Sequence, residues 1–260
     1  MTRITETAGQ PTLNDLMVRF LATRSDAASW AAVEPSEGEV EPHEVAAGFR
    51  VDARAAWSEA TVSVENSPKA PPSEWATLVG QPTAVFAVPM AAGNFPQRVK
   101  DLQPLLNRFE PSELRPSGED APAPGLSALR TWVAREAKKP AATASLLAAG
   151  VARVIGDLDW ADELLGDAEA RCGGDLRAVW DNERAALLWQ RGRCAEALTA
   201  WEGMAATPTI QFNRGMALLF LGRPTDAAPA LSAAAASLPE TSGWSDLARL
   251  YLAVAEIHGG

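Results

Sequence analysis

The sequence is poor in the side chains that most enzymes use for acid–base and metal chemistry. Its 260 residues include two histidines, two cysteines and one tyrosine. His43 and His258 are far apart in the chain, and no His-x3-His or Cys-x2-Cys spacing occurs, so no zinc site is predicted. Gly-Lys-Ser/Thr and Gly-x-Gly-x2-Gly phosphate-binding motifs are missing as well. We therefore expect a protein that is not an enzyme, with no catalytic residues, no metal and no cofactor.

Long apolar runs and an excess of positive charge are also missing. No run of about 18 apolar residues occurs, which argues against a membrane-spanning helix, and the first ten residues lack the apolar core of a signal peptide. Cys172 and Cys194 lie in predicted helices, so a structural disulfide is not expected. With 23 basic against 33 acidic residues, the net charge is −10, which disfavours nucleic acid and anionic membranes as partners. These absences predict a cytoplasmic protein.

Proline is distributed unevenly and suggests two regions. Fourteen of the 19 prolines lie in residues 1–125, and residues 111–125 contain four prolines and two glycines, the composition of a linker. The pattern predicts an irregular, mostly helical region over residues 1–125 and a second domain over residues 126–260. Within the first region, the apolar run Thr83–Met90 predicts a buried helix kinked at Pro89, with one buried strand as the alternative.

The second region contains a repeated pattern that starts at Gly156, Gly192 and Gly222. An alanine follows each glycine after five residues, a large apolar residue after nine and a small or flexible residue after twelve. These positions are Ala161, Leu165 and Ala168, then Ala197, Trp201 and Met204, then Ala227, Leu231 and Ala234. Offsets of five, nine and twelve share one face of a helix. The glycine permits a tight turn and the alanine a close helix crossing, so the pattern predicts helical hairpins.

The glycines are 36 and 30 residues apart, which brackets the period of about 34 residues of tetratricopeptide repeats. A final segment carries Trp244, Leu247, Ala248 and Tyr251, similar to that family's Trp-x2-Leu-Gly-x2-Tyr signature with alanine in place of glycine. Residues 126–260 thus resemble a tetratricopeptide-repeat domain with three repeats and a terminal half repeat. The resemblance implies an all-α protein, in which a C-terminal helical-hairpin solenoid follows the irregular N-terminal region.

The resemblance also implies a binding site, because the first helix of each repeat in that family lines a concave groove that holds peptides or helices. Carried over by position, the partner-binding residues are Leu146, Arg153, Asn182, Glu183, Trp189, Phe212, Asn213, Met216 and Leu219. The positions of the family's lysine clamp hold apolar or neutral residues here. We therefore expect a non-catalytic adaptor or scaffold that binds a protein or peptide partner other than an acidic C-terminal tail.

Three alternatives remain open from the sequence. In the first, the protein's own N-terminal region covers the groove residues Leu146, Trp189 and Phe212. In the second, the protein is an enzyme with a pocket in residues 40–110. In the third, it is a structural protein that self-associates. In the last case the C-terminal helix stacks on another copy through Trp244, Leu247 and Tyr251.

Overall fold

The structure is a computed structural model, and it describes Trp57, residues 69–75, residues 87–94, residues 126–240 and residues 242–259. In this part of the chain the regular structure is entirely helical. The helices are α1 (Ser127–Ala137), α2 (Ala142–Val154), α3 (Leu158–Glu169), α4 (Asp175–Gln190), α5 (Cys194–Glu202), α6 (Pro208–Phe220), α7 (Pro224–Ser237) and α8 (Gly243–Gly259).

The three repeated glycines end α2, α4 and α6 in the same way. Gly156, Gly192 and Gly222 have φ angles of 81°, 74° and 77°, which favour glycine because it has no Cβ. At each turn the residue after the glycine donates its main-chain N–H to a carbonyl five residues back. These bonds are Asp157 to Ala152 (3.0 Å), Arg193 to Leu188 (2.9 Å) and Arg223 to Leu218 (2.9 Å). This is the Schellman termination, and its repetition confirms the prediction of three glycine turns.

The residues that follow these glycines fill the core of the hairpins. The three alanines at offset five and the large residues at offset nine are all buried, whereas Met204 at offset twelve is half-buried. α6 and α7 cross closely at Gly215, where a Cβ would stand 2.5 Å from Cγ of Leu231. A small residue at this position is therefore required for the two helices to pack at this distance.

The helices pack in chain order as consecutive hairpins. α2 packs on α3, α4 on α5 and α6 on α7, while α8 packs on both α6 and α7. The first helices of neighbouring hairpins also meet, since α4 contacts α2. We call α2–α8 the array. The all-α architecture and the sequential hairpins agree with the sequence prediction, including a last helix that follows the third hairpin. None of the described helices has the combination of length and apolar character needed to cross a bilayer.

A cluster of tryptophans connects part of the N-terminal region to α1. Trp57 packs edge-on against Trp75 and Trp132, with ring centroids 5.3 Å and 5.7 Å apart. Nε1 of Trp132 donates to the main-chain carbonyl of Lys69 at 3.3 Å. Most of residues 1–125, including the predicted linker at 111–125, lie outside the described residues. The division of the chain at residue 125 therefore stays a prediction.

Candidate functional site

Residues 87–94, which we call the strap, lie against the first helices of three successive hairpins. The strap forms neither a helix nor a strand, so the helix predicted over Thr83–Met90 is wrong for residues 87–90. Pro89 has no N–H to donate to a helix, and the positive φ of 80° at Gly93 prevents a helix from continuing beyond this segment. The main-chain groups of the strap are bound instead by side chains of the array. The rest of Thr83–Met90 lies outside the described residues.

Two asparagines from neighbouring hairpins bind the main chain of Met90. Its N–H donates to Oδ1 of Asn213 at 2.6 Å, and its carbonyl accepts from Nδ2 of Asn182 at 2.9 Å and from Nδ2 of Asn213 at 3.2 Å. The two amides also contact each other, and Nε1 of Trp201 donates to Oδ1 of Asn182 at 2.9 Å. The two side-chain amides thus both donate hydrogen bonds and accept them. Their bonds to Met90 involve only its main chain, so they do not require a methionine side chain.

A buried ion pair binds the main chain of Ala92 in the same way. The N–H of Ala92 donates to Oε1 of Glu183, and its carbonyl accepts from a terminal nitrogen of Arg153 at 2.9 Å. The same nitrogen of Arg153 lies 3.5 Å from Oε2 of Glu183. Both residues are only 1% exposed. Because the pair comes from α2 and α4, it joins two hairpins through one residue of the strap.

Burial sets the electrostatics of this pair. Desolvation raises the pKa of the Glu183 carboxyl, against the lowering effects of Arg153 and of the Ala92 N–H. Desolvation likewise lowers the pKa of Arg153, against the raising effect of Glu183. Among the described residues, Nε and the other terminal nitrogen of Arg153 have no hydrogen-bond partner. The strap carbonyl therefore supplies one of the few acceptors that this buried cation has.

The strap touches the backbone of α2 at two glycines. A Cβ built on Gly150 would stand 2.3 Å from the carbonyl oxygen and 2.8 Å from the carbonyl carbon of Ala92. A Cβ built on Gly93 would stand 3.1–3.3 Å from main-chain atoms of Gly150 and Val151. A side chain at either position would meet backbone atoms, which cannot rotate away. We call the six residues that bind or directly contact the strap the inner wall: Gly150, Arg153, Asn182, Glu183, Trp189 and Asn213.

Five of the nine side chains predicted to bind a partner contact the strap: Arg153, Asn182, Glu183, Trp189 and Asn213. Trp189 donates from Nε1 to the carbonyl of Ala87 at 2.6 Å and is itself fully buried beside Trp201. The other four are buried in the core of the array: Leu146, Phe212, Met216 and Leu219. The structure thus places the polar residues of the predicted partner-binding set together, around the strap. Whether they bind a separate partner stays a prediction.

One alternative is that the N-terminal region covers the predicted groove, and the strap does lie against helices that are predicted to line it. Of the three residues named for that alternative, one contacts the strap and another is covered by α8. Trp189 contacts the strap, whereas Phe212 packs on Trp244 and Tyr251 at centroid distances of 5.1 Å and 5.8 Å. Phe212 is therefore covered by α8, the helix that continues the array.

A cavity of about 500 Å³ lies beside the strap. Among the described residues, its lining combines apolar side chains with a few polar ones. They include Met90, Val179, Met204, Ile210, Trp244, Asp181, Asn182 and Thr209. Its apolar surface and scattered polar groups are typical of a site that receives a side chain or small ligand. Most of the residues 40–110 that the enzyme alternative requires lie outside the described residues.

The residues proposed for self-association point into the array. Trp244, Leu247 and Tyr251 are each 1–2% exposed. Tyr251 packs against Phe220 as well as Phe212, with centroids 5.4 Å and 5.8 Å apart. Stacking of two copies through these three side chains would require α8 to separate from α6. Self-association through another part of α8 stays untested.

The sequence reading missed the strap and the interaction of Asn182 with Trp201. The strap is held by its main chain, so its side chains carry little signal. Two local signals did exist: Pro89 and Gly93 both oppose a helix. No protein-family model matches the chain, and no curated protein or solved structure matches it either.

Proposed function

We propose that the protein is a non-catalytic adaptor of the tetratricopeptide type, whose inner wall binds a segment of another polypeptide. One observation carries the proposal: side chains from α2, α4 and α6 bind the main chain of a non-helical segment through matched donors and acceptors. A wall that recognises the main chain of Met90 and Ala92 suits a peptide ligand in general.

The rigidity of the wall supports the same proposal. Asn182 is held by Trp201, and the other groups that bind the strap lie on helices packed into hairpins. Groups already in position lose little conformational freedom when a peptide binds, so more of the contact energy appears as affinity. The cavity beside Met90 and Ala92 gives a partner's side chain an apolar place to enter.

A peptide-exchange experiment tests the proposal. Specific protease sites are introduced in residues 76–86 and 95–125 of the full chain, and the folded protein is cut so that the strap can be removed by dialysis. A fluorescent peptide with the sequence of residues 84–97 is then added. We expect it to bind the inner wall, and its anisotropy to rise with protein concentration to saturation.

Two variants on α6 serve as a matched pair. Asn213→Ala removes the bonds to Met90, each worth about 0.5–1.5 kcal/mol, so it should weaken the peptide about tenfold. Gln211→Ala, two residues away and without a hydrogen bond to the strap, should have no effect. Failure of the peptide to bind, or equal affinity for both variants, would contradict the proposal.

A further inference from the structure

The two glycines at the contact between strap and α2 restrict which polypeptides can bind the inner wall. Gly150 allows the carbonyl of Ala92 to approach the axis of α2, where any Cβ would overlap it. The three nearest atoms to that built Cβ all belong to Ala92. The small residue in α2 is therefore explained by the strap and not by packing of α2 on another helix.

The strap's own glycine is restricted for two independent reasons. Gly93 has a φ of 80°, a left-handed conformation that costs an L-residue with a side chain about 1–2 kcal/mol. In addition, a Cβ at Gly93 would stand 3.1 Å from the carbonyl carbon of Gly150 and 3.3 Å from the nitrogen of Val151. Both atoms belong to the backbone of a packed helix, so the wall cannot move aside at low cost.

The neighbouring residue fixes the register of this glycine. Ala92 has its N–H bound by Glu183 and its carbonyl bound by Arg153, so whichever residue forms these two bonds places the next residue at the position of Gly93. Met90 is fixed in the same way by Asn182 and Asn213. A glycine must therefore follow directly after the residue that the ion pair holds.

On the basis of the function proposed above, we propose that the inner wall selects polypeptide segments with glycine at the position of Gly93, and that the strap is an internal competitor for them. A partner would bind by displacing the strap and repeating its main-chain contacts. Side chains of the partner before the glycine would face the cavity that Met90 and Ala92 line. The inner wall thus requires a glycine directly after the residue that the ion pair binds, and it leaves the other positions variable.

The test uses the cut protein and three peptides of residues 84–97. The first has the natural sequence and the second carries Gly93→Val. The third carries Ala91→Val as the control, because Ala91 already has a Cβ and lines the cavity of about 500 Å³, which has room for two added methyl groups. We expect Gly93→Val to weaken binding about 5- to 30-fold from the cost of its φ angle alone. The natural and Ala91→Val peptides should bind alike.

A second measurement uses the uncut full chain and does not depend on the protease sites. Gly93→Val in the chain itself should weaken the binding of the strap to the inner wall. The natural peptide should therefore bind this variant more tightly than it binds the uncut wild type. Adding Gly150→Ala should abolish that gain, because it blocks the wall for every chain.

The outcomes separate the two proposals. If all three peptides bind the cut protein with equal affinity, glycine selection is wrong and the adaptor function stands. If none of them binds, both proposals are wrong. If the natural peptide binds the uncut wild type and the Gly93→Val chain equally, the strap is not a competitor.

Discussion

At the scale of single residues, charged side chains between α3 and α4 stabilise the array in a way the sequence did not reveal. The acidic run in α3 predicts a solvated face. In the structure, Asp162 pairs with Arg184 and with Arg191, the latter at 2.8 Å. Arg191 also reaches Asp159 at 2.9 Å. Arg184 lies on α4 and Arg191 directly follows it, so the periodicity of α3 alone could not identify these partners.

This network predicts a pH-dependent effect of Asp162→Asn. Burial acts to raise the pKa of Asp162, but Arg184 and Arg191 outweigh it and hold that pKa below its ordinary value of 3.8. The charged form therefore stabilises the fold above pH 3.8, and this stability is lost as the pH falls through the lowered pKa.

Because the site is partly exposed, we expect Asp162→Asn to lower the free energy of unfolding at pH 7 by about 0.5–1 kcal/mol. The difference from wild type should shrink in acid. Urea denaturation at several pH values measures it, with the exposed Asp167→Asn as the control. An effect of Asp162→Asn that is constant from pH 7 to strong acid would contradict the assignment.

The single tyrosine gives a second residue-scale prediction. Tyr251 is 2% exposed, burial raises its pKa well above 10.0, and its hydroxyl has no hydrogen-bond partner among the described residues. A buried hydroxyl without a partner costs about 1–3 kcal/mol. We expect Tyr251→Phe to raise the free energy of unfolding by about 1 kcal/mol. A loss of stability in urea denaturation would show that the hydroxyl has a partner.

At the scale of elements, the hairpins are the part that could be predicted. The turn glycines, the buried alanines and the final helix follow from spacings within one hairpin, which local sequence determines. The strap could not be predicted in the same way, because its bonds join residues 61 to 123 positions apart. They also involve main-chain groups that every residue type has. The asparagines and the ion pair were identified only by analogy of position.

A hairpin turn supplies the prediction at this scale. Gly222 has a φ of 77°, and a Cβ built on it would meet no atom within 4 Å. Gly222→Ala should therefore lower the free energy of unfolding by about 1–2 kcal/mol, the cost of placing an alanine at a positive φ. Gly166→Ala is the matched control, because Gly166 lies inside α3 with the same open space, and alanine there should stabilise by about 0.5–1 kcal/mol. Equal effects of the two changes on thermal unfolding would contradict the turn assignment.

At the scale of the whole molecule, side chains of the array bind residues 87–94, which belong to the predicted N-terminal region. The polar contacts of the strap reach α2, α4 and α6, while Trp57 packs on Trp75 and on Trp132 of α1. The array and the strap thus pack together within the described residues, while the division of the whole chain at residue 125 stays a prediction. The adaptor hypothesis depends on whether the strap can leave the inner wall, so that a partner can bind there.

The most direct test of this account is the hydrogen exchange of two amides, those of Met90 and Ala92, measured by NMR. In the wild type both should be protected, because they donate to Asn213 and Glu183. Gly150→Ala should bring both close to the exchange rate of an unstructured chain while amides inside α6 stay protected, and Gly166→Ala should change neither. Unprotected amides in the wild type, or full protection in Gly150→Ala, would contradict the placement of the strap on the inner wall.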